Sequence, residues 1–314
     1  MAERVFITGA GGFIGRALAE RYRARGTEVL GVDLVADPAN DVVAGDIGEA
    51  GPWQLHAAGC DLVVHTAAAV TMRHDDRAGV HRANVVGTRN ALEAAERAGA
   101  RFLHLSTVVV FGTDFPDGVD ERFPPATTGL PYGDTKVAAE SLVQQAMLER
   151  RAEVVIVRPA DVYGPGSRAW ATIPTEMLRR RQLLLPAMGR GVFSPVFVDD
   201  LVEGIVLAGD AADAAGQILT LSGGTGVATK DFFAMHARVA GRRLPLSPTG
   251  PAMALARARQ AFPGDPDVSV HAVRYLCRGG TYSIEKARRL IGFEPRVELA
   301  DGLARTEAWL RRDA

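Results

Sequence analysis

The stretch Arg4-Val5-Phe6-Ile7-Thr8-Gly9-Ala10-Gly11-Gly12-Phe13-Ile14-Gly15 decides the reading of this chain. Its first five residues suit a buried strand, and a helical pattern runs on to about residue 25. Between them, Gly9, Gly12 and Gly15 follow a GxxGxxG spacing. Gly9 permits a tight turn, Gly12 lets the backbone approach a pyrophosphate, and Gly15 lets the helix pack against the sheet. The unpaired amides at the helix start, around Phe13 and Ile14, and the positive end of the helix then face the phosphates. A glycine triplet alone marks turns of many kinds. Its place between strand and helix, at the head of a βαβ pattern, makes it a dinucleotide cradle. Asp33 ends the second strand, where a carboxylate can hydrogen-bond the adenosine ribose hydroxyls and repel a 2′-phosphate. No Arg or Lys follows within the next few residues, so NAD is predicted over NADP. The plain alternative for Asp33 is a solvated turn. Asp46 and Ile47, after the third strand, can line the adenine pocket.

Working outward, strands are predicted at 4–8, 28–32, 42–45, 62–66, 101–106 and 154–157, and long helices at 12–25, 82–98 and 134–151. Continuous apolar strands between helices imply a parallel sheet covered on both faces, with right-handed crossovers. The expected fold class is α/β: a Rossmann doubly wound parallel sheet with a smaller, mostly helical C-terminal substrate lobe. Residues 1–165 would bind NAD and 166–314 would form the lobe, with segments around 192–222 interleaved with the sheet domain. In the lobe, Pro and Gly cluster at 163–166, 186–191 and 244–251. Helical patterns there recur at 173–181, 200–208, 230–240, 283–291 and 299–311.

The 314 residues are 47% hydrophobic and 23% charged with a net charge of −1, ordinary for a soluble enzyme. That balance offers no footprint for nucleic acid or an anionic membrane. Arg179-Arg180-Arg181 fits a solvated helix end. Cys60 and Cys277 form no metal or CxxC spacing, and a reducing compartment is the default. No signal peptide and no apolar run of roughly 20 residues is seen, so a cytoplasmic location is expected. With no His/Cys/Asp/Glu cluster at ligand spacing, no metal is expected; His65 reads as closing a strand end.

Tyr132 and Lys136 lie four apart at a helix start, which stacks them on one face. A neighbouring ammonium, with the positive nicotinamide, favours the phenolate and lowers the tyrosine pKa, so the pair can pass a proton to or from an alcohol or ketone. YxxxK also occurs on ordinary surface helices; its position after strand five gives it weight. Ser106-Thr107 ends that strand at the ligand edge of the sheet, where a hydroxyl can hold the substrate oxygen or simply bond its own loop.

Together with His65-Thr66-Ala67-Ala68, Asn84–Thr88, Leu105–Gly112, Arg158–Gly166, Val196–Leu201 and Tyr282–Ala287, these motifs resemble the extended short-chain dehydrogenase/reductase family, in its NAD-dependent epimerase/dehydratase group. The resemblance covers nearly the whole chain. It implies Tyr132 as general acid/base, Lys136 as its partner and a ligand of the nicotinamide ribose, and Thr107 as the catalytic hydroxyl. It places Ala67, Ala68 and Asn84 along the cofactor, Pro159 and Val162 beside the nicotinamide, and a homodimer through the helices around 82–98 and 134–151.

Departures from the family pattern narrow the chemistry. Val108 and Val109 stand where dehydratases carry an Asp-Glu pair. Asp161 replaces a common Asn, Phe193 stands where a pyrophosphate-binding Arg is common, and Phe197 replaces a common His. These look more like the 3β-hydroxysteroid dehydrogenase and dihydroflavonol reductase branches, whose substrates lack a nucleotide handle. Arg190, Arg274 or Arg278 remain as cations that could hold a diphosphate instead. Trp170 and Met188 fit either the substrate pocket or lobe packing. Three functions stay open: an NAD-dependent oxidoreductase on a secondary alcohol or ketone, a nucleotide-sugar 4-epimerase with tightly held NAD, and a non-catalytic dinucleotide sensor. Substrate choice falls on the loops around 68–80, 108–131, 165–195 and 245–280.

Overall fold

The computed structural model describes residues 2–71, 76–260 and 269–312. Two of the four loops expected to set specificity therefore lie partly outside the described residues, at 72–75 and 261–268. Seven parallel strands form the central sheet: β1 (Arg4–Thr8), β2 (Glu28–Asp33), β3 (Val42–Ala44), β4 (Leu62–His65), β5 (Arg101–Leu105), β6 (Val154–Pro159) and β10 (Gln217–Leu221). Their order is β10-β6-β5-β4-β1-β2-β3. β1 sits between β2 and β4, with Phe6 opposite Leu30 and Ile7 opposite Val64. The chain winds one way from β1 through β3 and the other way from β4 onward. The strand ends at Thr8 and His65 therefore flank the topological switch point, where open α/β sheets bind ligands.

Both faces of the sheet are covered because the strand residues are apolar on both sides. On one face, Val5, Ile7 and Val64 pack with Leu18 and Tyr22 of α1 (Phe13–Arg23) and Leu201 and Ile205 of α6 (Val198–Asp210). On the other, Phe6, Val63, Phe102 and Ile156 pack with Leu92 and Ala95 of α3 (Gly87–Ala98) and Val143 and Ala146 of α4 (Pro131–Leu148).

The helix expected at 82–98 starts earlier. A short α2 (Arg77–His81) runs through a π turn at Arg82–Val86 into α3. Asp76 caps α2 by accepting from Gly79 N at 2.9 Å. Similarly, α4 begins at Pro131, a residue suited to a first helical position because its missing N–H has no partner there anyway, so Tyr132 lies in the first turn.

The C-terminal half holds α5 (Ile173–Arg179), α7 (Thr229–Ala240), α10 (Glu285–Ile291) and α11 (Leu299–Arg312) near the expected positions. It also holds α8 (Thr249–Gln260) and α9 (Val270–Cys277), which the Pro/Gly-rich reading of 244–251 obscured. Pro251 falls in the first turn of α8, where proline does not break a helix. Two small ribbons lie off the main sheet: β7 (Asp161–Tyr163) parallel with β9 (Pro195–Phe197), and β8 (Val192–Phe193) antiparallel with β11 (Val227–Ala228). Within 192–221, α6 packs against α1 and β10 adds to the edge of the main sheet. Among the described residues no helix is long and apolar enough to cross a membrane.

Candidate active site

The glycine turn is closed by Gly9 N and Ala10 N, which donate to Val32 O at 2.8 and 3.2 Å. Gly9 has φ +72°, a conformation that penalises side chains, and a Cβ there would lie 2.8 Å from the Ala67 backbone. A Cβ on Gly15 would meet Gly9 O at 2.1 Å. Gly15 is thus required by the turn itself more than by the sheet beneath it. These two positions keep α1 tight against the loop, with its first amides, Phe13 and Ile14 included, left for a ligand. The Phe13 ring also reaches the 163–166 loop: a Cβ on Gly166 would lie 3.4 Å from its Cδ2.

Asp33 accepts from Gly11 N at 2.9 Å and from Leu34 N at 2.7 Å, so its carboxylate is held at the edge of the glycine turn. Asp46 accepts from Gly48 N at 2.8 Å and pairs with Arg82 at 2.7 Å. Ile47 is buried, and its carbonyl accepts from Asn90 at 2.8 Å. Across the switch point, Ala67 and Ala68 follow β4. The Asn84 amide, on the π turn, accepts from Ala69 N at 2.7 Å and donates to Thr135 Oγ1 at 3.0 Å, tying this loop to the first turn of α4. Pro159 ends β6 opposite Leu221, and Val162 lies on β7, partly buried against the main core. The glycine turn, an acid held at its edge and the N-terminus of α1 together fit a dinucleotide.

The Thr107 side chain lies near Tyr132, close enough to favour its phenolate. Thr107 Oγ1 also accepts from Val109 N at 3.2 Å, capping a 3-10 turn at Val108–Phe111. Lys136 is buried, and its Nζ donates to Leu105 O at 2.6 Å. Burial pushes the Tyr132 phenol up to about 12, against the pull of the Thr107 side chain. In the protein alone, desolvation outweighs any help from the ammonium. Lys136 itself is pushed down to about 8 by burial, with Glu140 pulling the other way. Ser106 does not share the role of Thr107: its Oγ donates to Glu140 at 2.5 Å. Val108 is buried and Val109 packs against Gly133, next to Tyr132; neither can carry a proton.

Sequence reasoning missed two buried ion pairs. Glu140 binds Arg158, the nearest atoms 2.5 Å apart, and lies one turn beyond Lys136, a spacing that was readable. Asp161 pairs with Arg278 and accepts from Tyr275 and from Ser194 N. Of the three cations weighed for a diphosphate, Arg278 is therefore engaged, while Arg190 and Arg274 are exposed. Phe193 is fully buried among Trp170, Phe232 and Phe233. Trp170 stacks on Tyr275. Met188, half-exposed, lines a cavity of about 370 Å3 with Arg190, Thr249, Cys277 and Arg278. His65 bridges Thr8 and Thr88 through its two ring nitrogens at 2.7 and 3.0 Å. Among the described residues no group of three or more His, Cys, Asp or Glu could hold a metal ion.

The chain belongs to the NAD-dependent epimerase/dehydratase family, whose family model matches residues 5–221. It is an enzyme of this short-chain dehydrogenase/epimerase type, and its cofactor is NAD. It is 30% identical to a 4-hydroxy-2-methyl-3-oxo-4-farnesyl-3,4-dihydroquinoline-1-oxide ketoreductase of Stigmatella aurantiaca, over 96% of this chain and 94% of that protein. It is 29% identical to a 3-beta-hydroxysteroid dehydrogenase of Mycolicibacterium neoaurum, over 93% and 87%. Among solved structures, MoeE5 in complex with UDP-glucuronic acid and NAD superposes with a TM-score of 0.78 at 26% identity, over 99% of this chain and 100% of that one.

Proposed function

We propose that the protein is an NAD-dependent oxidoreductase acting on a secondary alcohol or ketone that carries no nucleotide. The observation that carries this reading is the buried Lys136, held on Leu105 O one helical turn from Tyr132 and with Thr107 nearby, at the carboxyl edge of the sheet. NAD held there would supply or accept the hydride. Tyr132 donates a proton to the nascent alkoxide of a ketone, or removes one from an alcohol. Thr107 orients the substrate oxygen toward Tyr132. Lys136 supplies the positive charge that favours the phenolate and binds the nicotinamide ribose. Gly9, Gly12, Phe13, Ile14 and Gly15 hold the pyrophosphate, Asp33 the adenosine ribose, Asp46 and Ile47 the adenine. Ala67, Ala68, Asn84, Pro159 and Val162 border the rest of the cofactor. Residues 1–165 carry this site, 166–314 cover the substrate, and two copies pair through the α3 and α4 helices.

Two features favour a substrate without a nucleotide. Arg278, the buried cation of the lobe, is neutralised by Asp161, and aromatic rings surround Phe193. The similarity to a ketoreductase and a hydroxysteroid dehydrogenase agrees with this. A second reading, a nucleotide-sugar 4-epimerase, draws on the exposed Arg190 at the cavity and on the MoeE5 likeness. The test is absorbance at 340 nm with a panel of steroids, cyclic ketones and nucleotide sugars. Net NADH oxidation with a ketone, lost in Tyr132→Phe, is expected. Interconversion of nucleotide sugars with no net change at 340 nm would replace the first reading by the second.

A further inference from the structure

Three consecutive residues at the end of β5 are tied to three residues of α4 spaced four apart. Leu105 O accepts from Lys136 Nζ at 2.6 Å, Ser106 Oγ donates to Glu140 Oε2 at 2.5 Å, and the Thr107 side chain lies near Tyr132. Positions 132, 136 and 140 share one helix face. Glu140 has no solvent exposure. Arg158 Nε and Nη2 donate to its two oxygens at 3.1 and 2.5 Å, and Gln144 Nε2 donates to Oε1 at 2.9 Å. The Arg158 guanidinium in turn lies 4.7 Å over the Phe111 ring, at the end of the turn that Thr107 caps.

A buried carboxylate this fully bonded is expensive unless paired, and here it sits one helical turn from the ammonium. We propose that Glu140 is a positioning residue for the reaction: its carboxylate is the countercharge that keeps the buried Lys136 an ammonium, and its bonds to Ser106 and Arg158 hold the strand end in register with Tyr132. The proposal rests on the reading of Tyr132 as the general acid/base. The other ionisable groups around Lys136 offer no negative charge. Arg158 on β6 is a cation; His65 on β4 and His104 on β5 are held neutral by burial, with Lys136 adding to the effect; and burial keeps Tyr132 protonated. Burial pushes Lys136 down and Glu140 pulls it back up, leaving it at about 8. A neutral Lys136 would give the phenolate no support.

The chain contains three lysines, Lys136, Lys230 and Lys286, so 13C-lysine labelling of the full-length protein gives three side-chain signals, with Lys136→Arg identifying its own. In Glu140→Gln the Lys136 titration midpoint should fall by roughly one pH unit, the low end for losing an adjacent opposite charge. The alkaline limb of kcat/KM should move with it. Glu140→Asp keeps a carboxylate for Arg158, is expected to fold even where Glu140→Gln does not, and should shift the midpoint the same way by less. An unmoved Lys136 midpoint in either folded variant overturns the proposal. Full turnover in Tyr132→Phe would instead sink the acid/base reading while leaving the lysine titration readable, so the two failures are distinct.

Discussion

The Arg278 guanidinium and the Asp161 carboxylate form an ion pair hidden from solvent, with side-chain exposures of 1% and 0%. Arg278 lies 3.8 Å over the Tyr275 ring and donates through Nε to Val192 O at 3.1 Å, while Tyr275 donates its hydroxyl to Asp161. Asp161 opens β7, and Arg278 follows α9, so the pair fastens the segment after α9 to the β7–β9 ribbon. Removing one partner strands a buried charge. Asp161→Ala should therefore cost about 3–5 kcal/mol, a fall in Tm on the order of 10 °C. Asp161→Ala/Arg278→Met should recover much of it. Additive losses in this double-mutant cycle would show that the two residues are not coupled.

Tyr132→Phe should lower kcat by roughly 10²–10⁴-fold, the usual worth of a positioned acid or base, with NADH affinity nearly unchanged. Thr107→Ala should lower it less, because Tyr132 keeps its place in the first turn of α4. Stopped-flow reduction and a fluorescence titration of NADH separate the two effects; equal losses in binding and turnover would contradict the assigned roles.

Asp33 has one oxygen on Gly11 N and the other on Leu34 N, which leaves lone pairs for a ribose diol. Asp33→Asn should weaken NAD binding by roughly 1.5–3 kcal/mol, the value of a hydrogen bond to a charged group, and should narrow the preference over NADP. The ratio of Kd values for NADH and NADPH is the readout, and an unchanged ratio counts against a ribose contact.

Acid should destabilise the fold early. Burial holds His65 and His236 down to about 3, and His104 well below its usual value. Between about pH 6.5 and 3 the unfolded chain takes up protons that the folded one refuses, so stability is lost as pH falls through that window. For His65 and His236 the loss is on the order of a few kcal/mol each at the acid end. Tm measured from pH 7 to 4 should drop steeply and reversibly. Lys136 acts in the opposite range: its folded value of about 8 lies below the usual 10.5, so the penalty for burying its charge is full below pH 8 and lifts as pH rises toward 10.5. A flat Tm profile below pH 6 would contradict the burial of the three imidazoles.

What the sequence alone determined is what short-range spacing encodes. The glycine turn, Asp33 at the end of the second strand and the Tyr132–Lys136 spacing each follow from residue order within short segments, and the apolar strand runs announced a parallel sheet. Tertiary structure decided the rest. Thr107 meets Tyr132, Glu140 meets Arg158, and Asp161 meets Arg278 across 117 positions; contacts between separate elements leave no period to read. The same holds for α8, hidden behind Pro251, and for the Tyr132 phenol. Its neighbour Lys136 was legible, but the burial that raises the Tyr132 pKa depends on how separate elements pack around it. The proposed dinucleotide site is thus written locally, and the protonation of Tyr132 is set by packing.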